Sequence, residues 1–103
     1  MDAYQLAENA LLRKYETLND LSNTAYTEEN KVRLEAKARG MGRALRALRT
    51  GPYQKPNYQA SMEYSMNAIV EIMASTDDEA YRDGLFEGLR TIRDEYNTAY
   101  AGF

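Results

Sequence analysis

Hydrophobic residues recur along the chain mostly at intervals of three and four positions, in four separate segments. This spacing places them on one side of an α-helix, which turns by about 100° per residue. The pattern predicts helices at about 3–22, 28–50, 58–74 and 77–100. Amphipathic helices joined by short connections favour antiparallel packing, so residues 1–103 are expected to form a single all-α domain, a compact antiparallel four-helix bundle.

Each predicted helix has its own apolar stripe, which is expected to face the core. In chain order the stripes are Tyr4, Ala7, Leu11, Tyr15 and Leu18; Leu34, Ala38, Met41, Leu45 and Leu48; Met62, Met66, Ile69, Val70 and Met73; and Leu85, Leu89, Ile92, Tyr96, Ala99 and Phe103. Methionine dominates the third stripe. It is interpreted as gap-filling core, with a pliable binding groove as the alternative.

The predicted helix starts coincide with residues that cap helices well. Asp2 and Thr27 precede the first and second helices, and each can accept a hydrogen bond from a free backbone N–H of the first turn. Thr76 and Glu79 have the spacing of a capping box, which predicts Thr76 as the N-cap of the fourth helix.

Two of the predicted helices carry a row of small residues beside the apolar stripe. The rows are Ala36, Gly40 and Ala44 in the second helix, and Ala80, Gly84 and Gly88 in the fourth. Glycine inside a helix costs about 1 kcal/mol relative to alanine, so these glycines indicate a steric requirement. We expect the second and fourth helices to approach each other closely here. The alternative is that one row faces another subunit, as in a homodimer.

The composition argues against catalysis. The chain has no histidine and no cysteine, which excludes Ser-His-Asp triads, thiol nucleophiles and Cys/His zinc sites. No glycine-rich phosphate loop is present either. The acidic clusters at 77–79 and 94–95 are interpreted as capping and solubilising residues. The chain is therefore expected to be non-enzymatic, with no cofactor and no catalytic or metal-binding residue.

Nothing in the sequence indicates association with a membrane. No apolar run approaches the roughly 20 residues of a membrane span. The first residues lack the basic and apolar regions of a signal peptide. We expect a cytoplasmic protein that makes no contact with a membrane.

Positive charge is concentrated in the middle of the chain. The net charge is −3, yet residues 31–55 carry +7 while the segments before and after them carry −4 and −6. Arg39, Arg43 and Arg46 fall on the side of the second helix opposite its leucines. This set, called the arginine ridge below, could bind an acidic protein surface or phosphates. It could equally be a solvated surface, or pair with acids of the fourth helix.

Tyrosine is the second unusual feature, with nine tyrosines against two phenylalanines and no tryptophan. Several of them lie close to the proline-containing connection between the second and third helices. Tyrosine and arginine are both enriched in the residues that dominate binding energy at interfaces. The predicted partner-binding residues are Arg39, Arg43, Arg46, Arg49, Tyr53, Lys55, Tyr58 and Tyr64.

These features favour a non-enzymatic protein-binding module, a small adaptor or inhibitor, that acts through a basic, tyrosine-bearing edge. Small compact chains of this kind are common among inhibitors encoded by phages and mobile elements, so we also expect a viral origin. An acidic protein surface is the expected partner, and a homodimer stays open. The alternative function is nucleic-acid contact through the arginine ridge, against which the acidity of the remaining chain argues.

Overall fold

The protein is an all-α four-helix bundle. A computed structural model describes residues 2–50 and 58–101. Its four helices are α1 (Ala3–Asn23), α2 (Glu28–Thr50), α3 (Tyr58–Ala74) and α4 (Glu79–Ala101). The predicted bounds are confirmed for α2 and α3, whereas α1 extends one residue further than predicted and α4 is displaced by one or two residues at its ends.

The predicted caps of α1 and α2 are confirmed. The Asp2 carboxylate accepts a hydrogen bond from the Gln5 backbone N–H at 2.8 Å, and the Gln5 side chain accepts one from the Asp2 N–H at 3.1 Å. Thr27 accepts from the backbone N–H of Asn30 at 3.1 Å. These bonds satisfy donors that a helix start would otherwise leave unpaired.

The predicted cap of α4 is wrong. Asp78, not Thr76, accepts the hydrogen bond from the Tyr81 backbone N–H, at 3.1 Å, and its carbonyl accepts from Arg82 N–H at 2.9 Å. An ionised carboxylate is favoured at the positive end of a helix dipole, so Asp78 competes well against a threonine hydroxyl. The carbonyl of Thr76 instead accepts a hydrogen bond from the Arg82 guanidinium.

Helices α2 and α4 form the central pair of the bundle. Helix α1 packs on one side of this pair, antiparallel to α2, as the pairing of Glu8 with Arg49 and of Tyr15 with Gly42 shows. Helix α3 lies on the other side and packs mainly on α4, with a smaller contact to α2. The chain measures 46 × 28 × 19 Å along its principal axes.

The small-residue rows are where α2 and α4 meet, which confirms mutual packing. A Cβ atom added to Gly40 would lie 2.9 Å from the Leu85 backbone nitrogen and closer still to the Tyr81 carbonyl oxygen. A Cβ on Gly84 would lie 2.9 Å from the Met41 nitrogen and closer to the Lys37 carbonyl. Only glycine allows two helix backbones to come this near.

Within the described residues, the core follows the predicted stripes with one exception, and Phe103 lies outside the described residues. Its largest fully buried side chains include Leu11, Met41, Leu48, Ile69, Leu85 and Ile92. Val70, predicted to be in the third stripe, is 51% exposed, whereas Ser65 is buried and Ile72 packs against the core. Val70 lies about 100° around the helix from Ile69, which places it outside the face that α3 turns towards α4.

Candidate functional site

The outward surface of α2 lies between the parts of the helix that contact α1 and α4. Gly42 faces the Tyr15 ring of α1, and Gly40 faces α4. The arginine ridge occupies the remaining side: Arg39 and Arg46 are exposed and Arg43 is half-buried. With a rise of about 1.5 Å per residue, the ridge extends for about 10 Å along α2.

The guanidinium groups of the arginine ridge have no ionic partner in residues 2–50 and 58–101. No carboxylate oxygen of these residues lies within 4.0 Å of them. Of the other basic side chains in the described residues, Lys37, Arg49 and Arg93 do pair with a carboxylate. Lys37 pairs with Glu87 at 3.3 Å and Arg93 with Asp94 at 3.2 Å. The predicted alternative, in which acids of the fourth helix neutralise the ridge, is therefore not what the structure shows.

The ridge arginines also lie next to one another. Arg43 is four residues after Arg39 and three before Arg46, spacings that bring side chains together on a helix surface. Like charges so placed destabilise a helix by about 0.2–0.5 kcal/mol per pair. An anionic partner would reduce this repulsion, and no carboxylate of the described residues lies within 4.0 Å of these guanidinium groups.

Arg49, one of the predicted partner-binding residues, is engaged within the protein. Its Nε atom donates to Glu8 Oε2 at 2.9 Å, which ties the last turn of α2 to α1. Tyr64 is 51% exposed on α3. Tyr58 is the first residue of α3. Tyr53 and Lys55 lie outside the described residues.

Two exposed apolar side chains near the start of α2 were not among the predicted site residues. Val32 is 54% exposed, and Tyr26 is fully exposed in the turn before the helix. Val32 is seven residues before Arg39, which places it on the ridge side of α2. The sequence already placed Val32 on the same side of the helix as the ridge. Periodicity alone, however, does not show whether a neighbouring helix covers a valine beside a polar surface.

A separate open groove of about 550 Å³ lies between α1 and α4. Its walls carry Arg13, Lys14 and Lys37 together with Glu87 and Glu95. Lys37 pairs with Glu87, and Lys14 Nζ donates to the Thr91 hydroxyl at 2.8 Å. Charges of both signs thus line the groove, and most of the cationic groups are already engaged.

The methionines of α3 contribute to the core of the bundle. Met62, Met66 and Met73 are partly buried and pack against the central core. This contact agrees with the gap-filling role inferred from the sequence.

Residues 2–50 and 58–101 contain no candidate metal site and no candidate membrane-spanning helix. There, no three Asp or Glu side chains are grouped so that they could hold a metal ion. None of the helices described combines the length and apolar character that crossing a membrane requires. Comparison with protein-family models, with curated proteins and with solved structures finds no match to this chain.

Proposed function

We propose that this chain is a non-enzymatic protein-binding module, a small adaptor or inhibitor, that docks the arginine ridge onto an acidic protein surface. One observation carries the proposal. Arg39, Arg43 and Arg46 have no carboxylate partner among the described residues, on a chain whose net charge is −3. A basic cluster that the protein's own acids leave unneutralised is a natural contact for acids of another protein.

The chemistry of arginine suits this role. A guanidinium binds a carboxylate through two parallel hydrogen bonds, which gives direction as well as attraction. Hydrogen bonds to charged groups contribute about 1.5–3 kcal/mol each when they are shielded from water. The partly buried setting of Arg43 favours such shielding more than the exposed settings of Arg39 and Arg46.

The proposal is tested by affinity purification of the full chain from its native host, followed by mass spectrometry. The test variant combines Arg43→Glu and Arg46→Glu with Tyr53→Ala. We expect it to remain folded by circular dichroism and to lose the acidic partner that the native chain retains. The two charge reversals act on the ridge, and the tyrosine change removes a ring from the adjoining connection.

A matched control reverses Arg90 and Arg93 to glutamate. These two arginines are also exposed and three residues apart, but they lie on α4. We expect the control to keep the partner. If the partner survives the ridge variant, or is lost equally from both variants, the proposal fails.

The competing function for the same surface is binding to nucleic acid. It predicts a mobility shift of duplex DNA at low salt whose affinity falls with a log–log salt slope of about −0.9 per phosphate neutralised. A shift of this kind that disappears in the ridge variant would replace the proposed function. Absence of a shift at low salt leaves the protein-binding proposal as stated.

A further inference from the structure

We propose that the partner presents an acidic amphipathic helix, whose carboxylates meet the arginine ridge and whose apolar residue packs on Val32. This inference rests on the proposed function and adds the shape and chemistry of the partner. It comes from the side of α2 that carries both an exposed valine and guanidinium groups unpaired within the described residues.

The surface has two chemically different halves. Val32 is 54% exposed and lies in phase with the ridge, about 10 Å from Arg39 along the helix axis. A partner that covers the whole surface therefore needs an apolar residue at one end and acids at the other.

The spacing of the ridge favours a helix over a strand. Successive ridge positions are separated by four and three residues, or about 6 and 4.5 Å of helix rise. A helix running antiparallel to α2 reproduces these intervals with acids at positions i, i+3 and i+7. Same-side residues of a strand are about 6.6 Å apart, so three of them span about 13 Å rather than 10 Å.

The acids of α2 argue against a uniform polyanion such as nucleic acid. Glu28 lies four residues before Val32 and Glu35 lies three after it, so carboxylates flank the apolar half. A nucleic-acid backbone laid along the helix would bring phosphates against these two groups. A helix whose acids are confined to the segment facing the ridge avoids that repulsion.

The test is selection of binding peptides from a displayed library of helical 18-residue peptides, with the native full chain as bait. We expect enriched sequences to carry acids at i, i+3 and i+7, and an apolar residue about seven positions further along the same side. Val32→Ser should remove the preference for the apolar position and keep the acids. Arg43→Glu with Arg46→Glu should remove the preference for acids.

An enriched peptide then allows a quantitative measurement by fluorescence anisotropy. We expect Val32→Ser to weaken its binding about fivefold to tenfold, since about half of a valine side chain is covered on binding. Val70→Ser is the matched control, because Val70 is 51% exposed but lies on α3. It should change the affinity less than twofold.

The outcomes separate the two proposals. Enrichment of acids without the apolar position, or equal effects of the two valine variants, overturns the helix inference and leaves the acidic-surface proposal standing. Enrichment that does not depend on Arg43 and Arg46 overturns both. If no helical peptide is enriched, the helix inference is wrong, and the affinity purification from the native host decides the proposed function independently.

Discussion

Replacing Gly40 with alanine tests whether close packing of the α2 and α4 backbones holds this bundle together. The new Cβ would lie 2.9 Å from the Leu85 backbone nitrogen, 3.1 Å from Gly84 Cα and closer still to the Tyr81 carbonyl oxygen. All three are backbone atoms, so no change of rotamer relieves the contact. The two helices must separate instead.

The size of the effect follows from two opposing contributions. Alanine improves helix propensity by about 1 kcal/mol over glycine. Against this, the Leu85 nitrogen must move from 2.9 Å towards the 3.4 Å of ordinary contact, and the closer Tyr81 carbonyl oxygen must move further. A gap of about 0.5–1 Å forfeits a quarter to a half of the dispersion energy across an interface. Overpacking that only backbone movement can relieve falls at the costly end of the range for small-to-large substitutions. We therefore expect Gly40→Ala to lower the free energy of unfolding by about 1–3 kcal/mol net.

Urea and thermal unfolding followed by circular dichroism measure this loss. For a domain of this size, 1 kcal/mol corresponds to a change in Tm of about 4–8 °C. Gly42→Ala is the control in the same helix, because the three atoms nearest to its Cβ all belong to the Tyr15 ring, at 3.0 Å or more, and a side chain can adjust where a backbone cannot. We expect Gly42→Ala to be neutral or to stabilise by up to about 1 kcal/mol. If Gly40→Ala unfolds at the same Tm as Gly42→Ala, the packing argument is wrong.

Two further substitution pairs test the local assignments. Asp78→Ala should lower the free energy of unfolding by about 0.5–2 kcal/mol through loss of the α4 cap, whereas Thr76→Ala, which keeps the carbonyl that Arg82 uses, should cost less than about 0.5 kcal/mol. The reverse order in urea unfolding would restore Thr76 as the cap. Ile69→Ala should cost about 2–5 kcal/mol because the side chain is fully buried, whereas Val70→Ala should cost less than about 1 kcal/mol; similar losses for both would contradict the observed phase of α3.

The features that could be predicted from the sequence depend on local chemistry. The bounds of α2 were correct because its start combines a capping threonine with two acids in the first turn. The cap of α4 was assigned wrongly because three consecutive acids follow Thr76, and a linear pattern does not rank competing acceptors. Val70 was misplaced because periodicity defines a stripe about 100° wide, while the position of α4 decides which edge of it is covered.

The same distinction between local pattern and tertiary packing applies to the residues of the candidate site. The outward direction of Arg39, Arg43 and Arg46 follows from helical phase and was predicted. The pairing of Arg49 with Glu8 joins residues 41 positions apart and depends on the register between α1 and α2, which no local pattern specifies. The exposure of Val32 likewise depends on how the other helices pack on α2, which the sequence pattern does not specify.

The contact of Gly40 with α4 has a consequence for recognition. A helix that slid by one residue along its neighbour would swing its outward side chains through about 100°. The close contact of the backbones at Gly40 and Gly84 opposes such a slip, so the side of α2 that carries the arginine ridge keeps one direction relative to the rest of the molecule. A partner would then meet a preset array of charges and would be spared most of the entropy cost of arranging the backbone that carries them.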